Sequence, residues 1–168
     1  MSKPLPSWAE LGRRGWQHRG QARPPFAIEP GPGQESVWDY PRPPRIVSDS
    51  REVVVRVDAI EIARTSRALR VLETSHPPTF YLPREDVAMQ HLAAAGQGSR
   101  CEWKGEASYF DVIVGKERVV RAAWSYEDPF DDAAVLAGHL CFYASLVEAY
   151  VAGERARPFK GDPGSSGW

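Results

Sequence analysis

Nine of the 15 prolines fall in residues 1–45 and six in the remaining 123, which bars the N-terminal part of this chain from long regular elements. Each proline removes a backbone donor, fixes its own φ and pushes the preceding residue away from the helical region. Residues 1–25 also carry Arg13, Arg14, Arg19 and Arg23 among Gly12, Gly15 and Gly20, and they read as a flexible N-terminal extension. Within it, Trp8, Leu11 and Trp16 can anchor a short helical turn against the same domain, a second copy or a partner. Residues 26–153 read as a single β-rich domain. Residues 154–168, with Pro158, Gly161, Pro163, Gly164 and Gly167, read as a C-terminal tail.

Past the prolines, periodicity takes over. Val53, Val55 and Val57 alternate with Val54, Arg56 and Asp58, a period of two that predicts a half-buried strand, which Ile60 and Ile62 continue. Residues 68–73 and 79–82 predict two further strands. Pro83 with Arg84, Glu85 and Asp86 predicts the start of a brief helix carrying Val87, Met89 and Leu92 and closed by Gly96 and Gly98. Strands are expected at 100–104, 107–114 and 118–126, the last two joined by a hairpin loop at Gly115-Lys116-Glu117. Asp131 or Asp132 is expected to cap a short helix ending at Gly138, and residues 140–151 fit a buried helix and a strand equally well. The fold class is mainly β (α+β), with one or two short helices behind a Pro-rich N-terminal extension.

Charge excludes several functions. Lys plus Arg is 21 against 22 for Asp plus Glu, so there is no cationic excess to bind nucleic acid. No run approaches the roughly 20 apolar residues of a membrane span, and Met1-Ser2-Lys3-Pro4 lacks the apolar core of a secretory signal; a cytoplasmic location is expected. Cys101 and Cys141 form no Cys-x-x-Cys pair, and His18, His76, His91 and His139 are scattered, so neither a metal nor another cofactor is expected. The common nucleotide, esterase and zincin motifs are absent.

What stands out is a recurrence of aromatic residues with polar tips near strands: Tyr81, Tyr109, Trp124 and Tyr126, with Trp38 and Tyr40 in the Pro-rich run. Such side chains are costly to bury unless the tip is bonded, so a cluster of them is either a pocket wall or a core. Glu73, Lys104 and Arg42 supply a carboxylate and two cations that could act as base and electrophile, orient a polar ligand, or close the sheet as a salt bridge.

Four blocks carry a resemblance: Gln34-Glu35-Ser36-Val37-Trp38-Asp39-Tyr40-Pro41-Arg42-Pro43-Pro44; Glu73-Thr74-Ser75-His76-Pro77-Pro78-Thr79-Phe80-Tyr81-Leu82-Pro83; Lys104-Gly105-x-Ala107-x-Tyr109; and Ala123-Trp124-Ser125-Tyr126-x-x-Pro129. In this order they resemble domain-of-unknown-function family 427, over roughly residues 33–152. The resemblance implies a compact β-tent-like two-sheet domain, an architecture shared with zinc-dependent and cereblon-type ligand-binding domains. Their paired Cys-x-x-Cys ligands are missing here, so their zinc does not carry over. It also implies a ligand pocket between the sheets.

The expected function is therefore a small-molecule-binding domain, which as an enzyme would use metal-free acid/base chemistry on a small polar, ring- or carbonyl-containing metabolite. Glu73 would be the base and Lys104 or Arg42 the charge stabiliser, with Trp38, Tyr40, Tyr81, Tyr109, Trp124 and Tyr126 as ligand contacts. The alternative is a non-catalytic interaction module or a homodimer formed through the N-terminal extension. Nucleotidyl transfer, a label the family has carried, stands third for want of a phosphate cradle or a carboxylate pair.

Overall fold

The computed structural model describes residues 3–158 and 167–168. Among these residues, eleven strands form three antiparallel sheets. The first joins β1 (Arg45–Asp49), β4 (Ala68–Leu72) and β5 (Thr79–Tyr81) in the order β1-β4-β5. The second orders β11 (Glu154–Arg155), β10 (Glu148–Val151), β2 (Val53–Val57) and β3 (Ile60–Thr65) as β11-β10-β2-β3. The third runs β6-β7-β8-β9, from β6 (Leu92–Cys101), β7 (Gly105–Val114), β8 (Glu117–Ser125) and β9 (Leu140–Phe142). The mainly β class is as expected, with three sheets where two were anticipated. A bridge between Leu82 and Leu140 links the first sheet to the third, through Leu82 N to Leu140 O at 2.7 Å and the reverse bond at 2.9 Å.

Side-chain alternation divides the interior in two. On β9, Leu140 and Phe142 face one core with Val53, Val55, Ile62 and Phe80, while Cys141 between them faces a second with Tyr81, Trp124, Tyr126 and Leu136. Phe80 and Tyr81 split between the two cores in the same way, because neighbouring residues of a strand point to opposite faces.

Local backbone chemistry corrects several expectations. Ile60 and Ile62 do not extend β2. Asp58 and Ala59 sit at φ 47° and 62°, both left-handed, and this two-residue turn folds β3 back on β2 so that Val57 faces Ile60. The helix expected from Pro83 is two 3-10 turns, Arg84–Asp86 and Met89–His91, after which β6 begins at Leu92. Gly96 and Gly98 end no helix; they lie within β6, whose register against β7 shifts on both sides of position 97. A Cβ on Gly98 would stand 2.0 Å from the Ala107 carbonyl oxygen, so only glycine lets the two backbones approach there. Residues 131–136 form a 3-10 turn that opens at Phe130 without a side-chain cap. The ambiguous stretch 140–151 is two strands, β9 and β10, and residues 154–155 of the expected tail pair with β10 as β11. Of the rest of that tail, residues 159–166 lie outside the described residues.

The N-terminal extension carries helix α1 (Ser7–Arg14), packed on the domain. Ala9 is fully buried, Trp8 meets Phe130 at 5.9 Å, and Arg13 donates from Nε to Glu102 O at 2.7 Å and from Nη1 to Asp132 at 3.0 Å. Gly12 makes the approach feasible, since a Cβ there would lie 2.9 Å from Glu102 Cβ. No helix among the described residues is long and apolar enough to cross a membrane.

Candidate functional site

Three distant segments bring Arg42, Glu73 and Lys104 together. Arg42 belongs to the Pro-rich run before β1, Glu73 follows β4, and Lys104 sits in the turn between β6 and β7. Arg42 Nε donates to Glu73 Oε1 at 3.1 Å, and Lys104 Nζ stands 3.6 Å from Glu73 Oε2. The side chains are 1%, 14% and 11% exposed in that order, so one partly buried carboxylate serves two buried cations. Burial alone would disfavour the Lys104 ammonium, but Cys101, Tyr126 and Glu73 beside it outweigh that and hold it protonated above the ordinary range. The turn after β4 is tied to the Pro-rich run by Ser75 N to Val37 O at 2.9 Å and by the Thr74 hydroxyl to the Tyr40 carbonyl. Ser75 adopts a left-handed φ of 66° in that turn. These bonds set Ser75 Oγ and His76 Nδ1 at 3.4 and 3.2 Å from Arg42 Nη2.

The N-terminal segment covers this cluster. The Trp16 ring lies over the Arg42 guanidinium at 3.6 Å, and its Nε1 donates to Glu102 Oε1 at 2.5 Å. His18 accepts from Arg42 Nη1 through its carbonyl oxygen at 3.1 Å, while its ring meets the Trp38 ring at 5.4 Å. Every nitrogen of the guanidinium is thus engaged, and part of that engagement comes from residues 16–18.

The other expected contacts separate into two groups. Tyr81, Tyr109, Trp124 and Tyr126 come together, yet as packed interior of the second core, with exposures of 1%, 8%, 4% and 5%. Three of the polar tips are bonded: Trp124 Nε1 donates to Tyr81 Oη at 3.2 Å, and the Tyr109 and Tyr143 hydroxyls are 3.0 Å apart. Tyr126, close enough to Lys104 to feel its charge, links this core to the ionic cluster. Trp38 and Tyr40 lie elsewhere. Trp38 is half-buried between the rings of His18 and Phe26, and Tyr40 donates to Glu35 Oε2 at 2.7 Å.

Burial raises the Tyr40, Tyr81, Tyr126 and Tyr143 phenols above their ordinary value, helped at Tyr40 by Glu35 and at Tyr143 by the Tyr109 hydroxyl. A raised folded-state pKa contributes stability that is complete below the unfolded value near pH ~10 and is lost as pH climbs towards the folded one. Phenolate absorbance is therefore expected to show these four tyrosines ionising cooperatively with alkaline unfolding. Smooth titration of all six tyrosines near pH ~10 would contradict this burial.

The model for a domain of unknown function, DUF427, matches residues 45–153, about two thirds of the chain and the whole span from β1 through the β10–β11 turn. The chain belongs to the DUF427 family. No curated protein matches it. The DUF427 match starts just after Arg42, so Glu73 and Lys104 fall within it and the covering residues Trp16 and His18 precede it.

Sequence reasoning about this DUF427 chain missed the covering segment as part of the site. Trp16 had a legible signal, an aromatic between arginines and glycines, but nothing local tells which surface it meets. Tyr143, stacked on Tyr109 at 6.4 Å and against Trp124 at 4.5 Å, was hidden in the stretch whose period was ambiguous. Among the described residues, no three His, Cys, Asp or Glu side chains converge as a metal site requires.

Proposed function

We propose that this domain binds a small polar metabolite carrying a planar ring and a carbonyl or carboxylate oxygen, on the face of Arg42 that Trp16 and His18 cover. One observation carries the reading: a buried guanidinium holds an indole ring at 3.6 Å and a carbonyl oxygen at 3.1 Å, both supplied by the chain's own N-terminal segment. When that segment lifts, Arg42 offers a flat cationic face and a free Nη1 donor, the complement of a ring with an adjacent oxygen. The cluster's single carboxylate against two cations adds a preference for a negatively charged ligand.

Binding is favoured over turnover, because both Glu73 oxygens face cations. Acid/base chemistry with Glu73 as base and Lys104 or Arg42 stabilising negative charge requires one of those oxygens to leave its partner. Two free cysteines suit a reducing, cytoplasmic setting, and we read the site as working without metal.

N-Acetyltryptophanamide, an indole with flanking carbonyls, tests the reading directly. The Trp16→Ala chain is expected to bind it about tenfold more tightly than the unaltered chain, since losing the competing ring contact removes roughly 1.4 kcal/mol of self-occupancy. The readout is the rise in melting temperature with probe concentration. If neither protein shows a rise, Arg42 does not take such a ligand.

A further inference from the structure

A second cavity, of about 470 Å3, lies away from Arg42, between the β4–β5 edge and β11. Its wall carries four guanidinium groups, Arg51, Arg70, Arg155 and Arg157, beside two carboxylates, Glu35 and Glu154. Arg51 is paired with Asp49, and Arg70 with Glu35. Arg155 and Arg157 make no ion pair among the described residues, while Arg70 is held in place by Glu35 and by the Tyr40 hydroxyl at 3.2 Å.

Beside these cations the cavity has an aromatic wall already locked in place. Phe80 and Trp168 rings meet at 5.3 Å, and Trp168 is pinned by Nε1 to Phe142 O at 2.8 Å and by its backbone N to Pro78 O at 3.1 Å. Gly167 permits that docking, because a Cβ there would stand 2.5 Å from Pro77 Cβ. The volume falls within the roughly 300–1,000 Å3 of small-molecule sites, which pair apolar walls with a few convergent polar groups.

We infer that this cavity is a separate binding site for an aromatic phosphate monoester, its dianion held by Arg70, Arg155 and Arg157 and its ring against Phe80 and Trp168. Arg155 and Arg157, two guanidinium groups without an ion-pair partner among the described residues, suit the several oxygens of a phosphate dianion, which the guanidinium fork fits.

Phenyl phosphate, inorganic phosphate and benzoate, titrated calorimetrically into the full chain, test it. Phenyl phosphate is expected to bind more tightly than either of the others. The Arg155→Gln/Arg157→Gln double variant, altered only at exposed positions, is expected to lose at least tenfold in affinity for phenyl phosphate, while its melting-temperature response to N-acetyltryptophanamide stays that of the unaltered chain. That last control separates this site from the one at Arg42. Absence of saturable phenyl phosphate binding, or an unchanged affinity in the double variant, overturns the site. Equal affinity for inorganic phosphate overturns the role of the aromatic wall.

Discussion

Glu73→Gln is expected to destabilise this protein far more than Lys104→Met, although each removes one charge from the same buried cluster. Glutamine leaves Arg42 and Lys104, with side chains 1% and 11% exposed, facing each other with no carboxylate between them. Removing one partner of a buried ion pair costs about 3–5 kcal/mol, because the remaining charge stays out of water uncompensated. In a domain of this size that is a fall in melting temperature of roughly 10 °C. Methionine at 104 instead removes the excess cation and keeps the Arg42–Glu73 pair at 3.1 Å, with an apolar chain of similar length in the space. Its cost is expected to stay near 1 kcal/mol. Urea unfolding of both variants decides the matter, and a larger loss for Lys104→Met would mean that Lys104, not Glu73, is the centre of the cluster.

Trp124→Ala is expected to cost about 3–5 kcal/mol, the range for deleting a large aromatic from a packed interior. Trp124 is 4% exposed, lies 4.5 Å from the Tyr143 ring and 6.2 Å from that of Tyr81, and its indole N–H is bonded to Tyr81. Trp124→Phe retains most of the packing and loses the hydrogen bond, for about 1 kcal/mol. A residue lining a ligand cavity would behave otherwise, with little loss of stability and a loss of binding. Melting temperatures of the two variants therefore separate core from cage, and a Trp124→Ala protein within about 1 kcal/mol of the unaltered one would return this residue to a pocket wall.

The polar candidates were more legible than the aromatic ones. A carboxylate and two cations flanked by prolines, glycines and strand ends have few ways to be buried except with one another, and Arg42, Glu73 and Lys104 do meet. The aromatic residues carried no such constraint. Tyr81, Tyr109, Trp124 and Tyr126 were recognisable as a cluster, but a pocket wall and a core use the same side chains, and only the bonds from Trp124 to Tyr81 and from Tyr109 to Tyr143 place them in the interior. Trp38 and Tyr40, near Arg42 in sequence, point to other partners because the Pro-rich run turns between them and it.

What the sequence determined by itself was much of what depends on nearest neighbours along the chain, the turn at Asp58 and Ala59 excepted. The alternation through Val53–Val57, the turn at Gly115 with its φ of 58°, and the β7 and β8 strands on either side follow from side-chain period and backbone sterics within a few residues. Tertiary structure decided the elements whose local signals were weak or contrary. The alanine run at 93–95 favours a helix in isolation, yet it is held extended by pairing with β7, Ala93 opposite Asp111 and Ala94 opposite Phe110. Residues 140–151 became two strands because one end pairs with β8 and the other with β2. Tertiary structure also placed Trp16 over Arg42, a contact between segments with no shared periodicity, in which the indole face lies on a guanidinium that Glu73 holds in place.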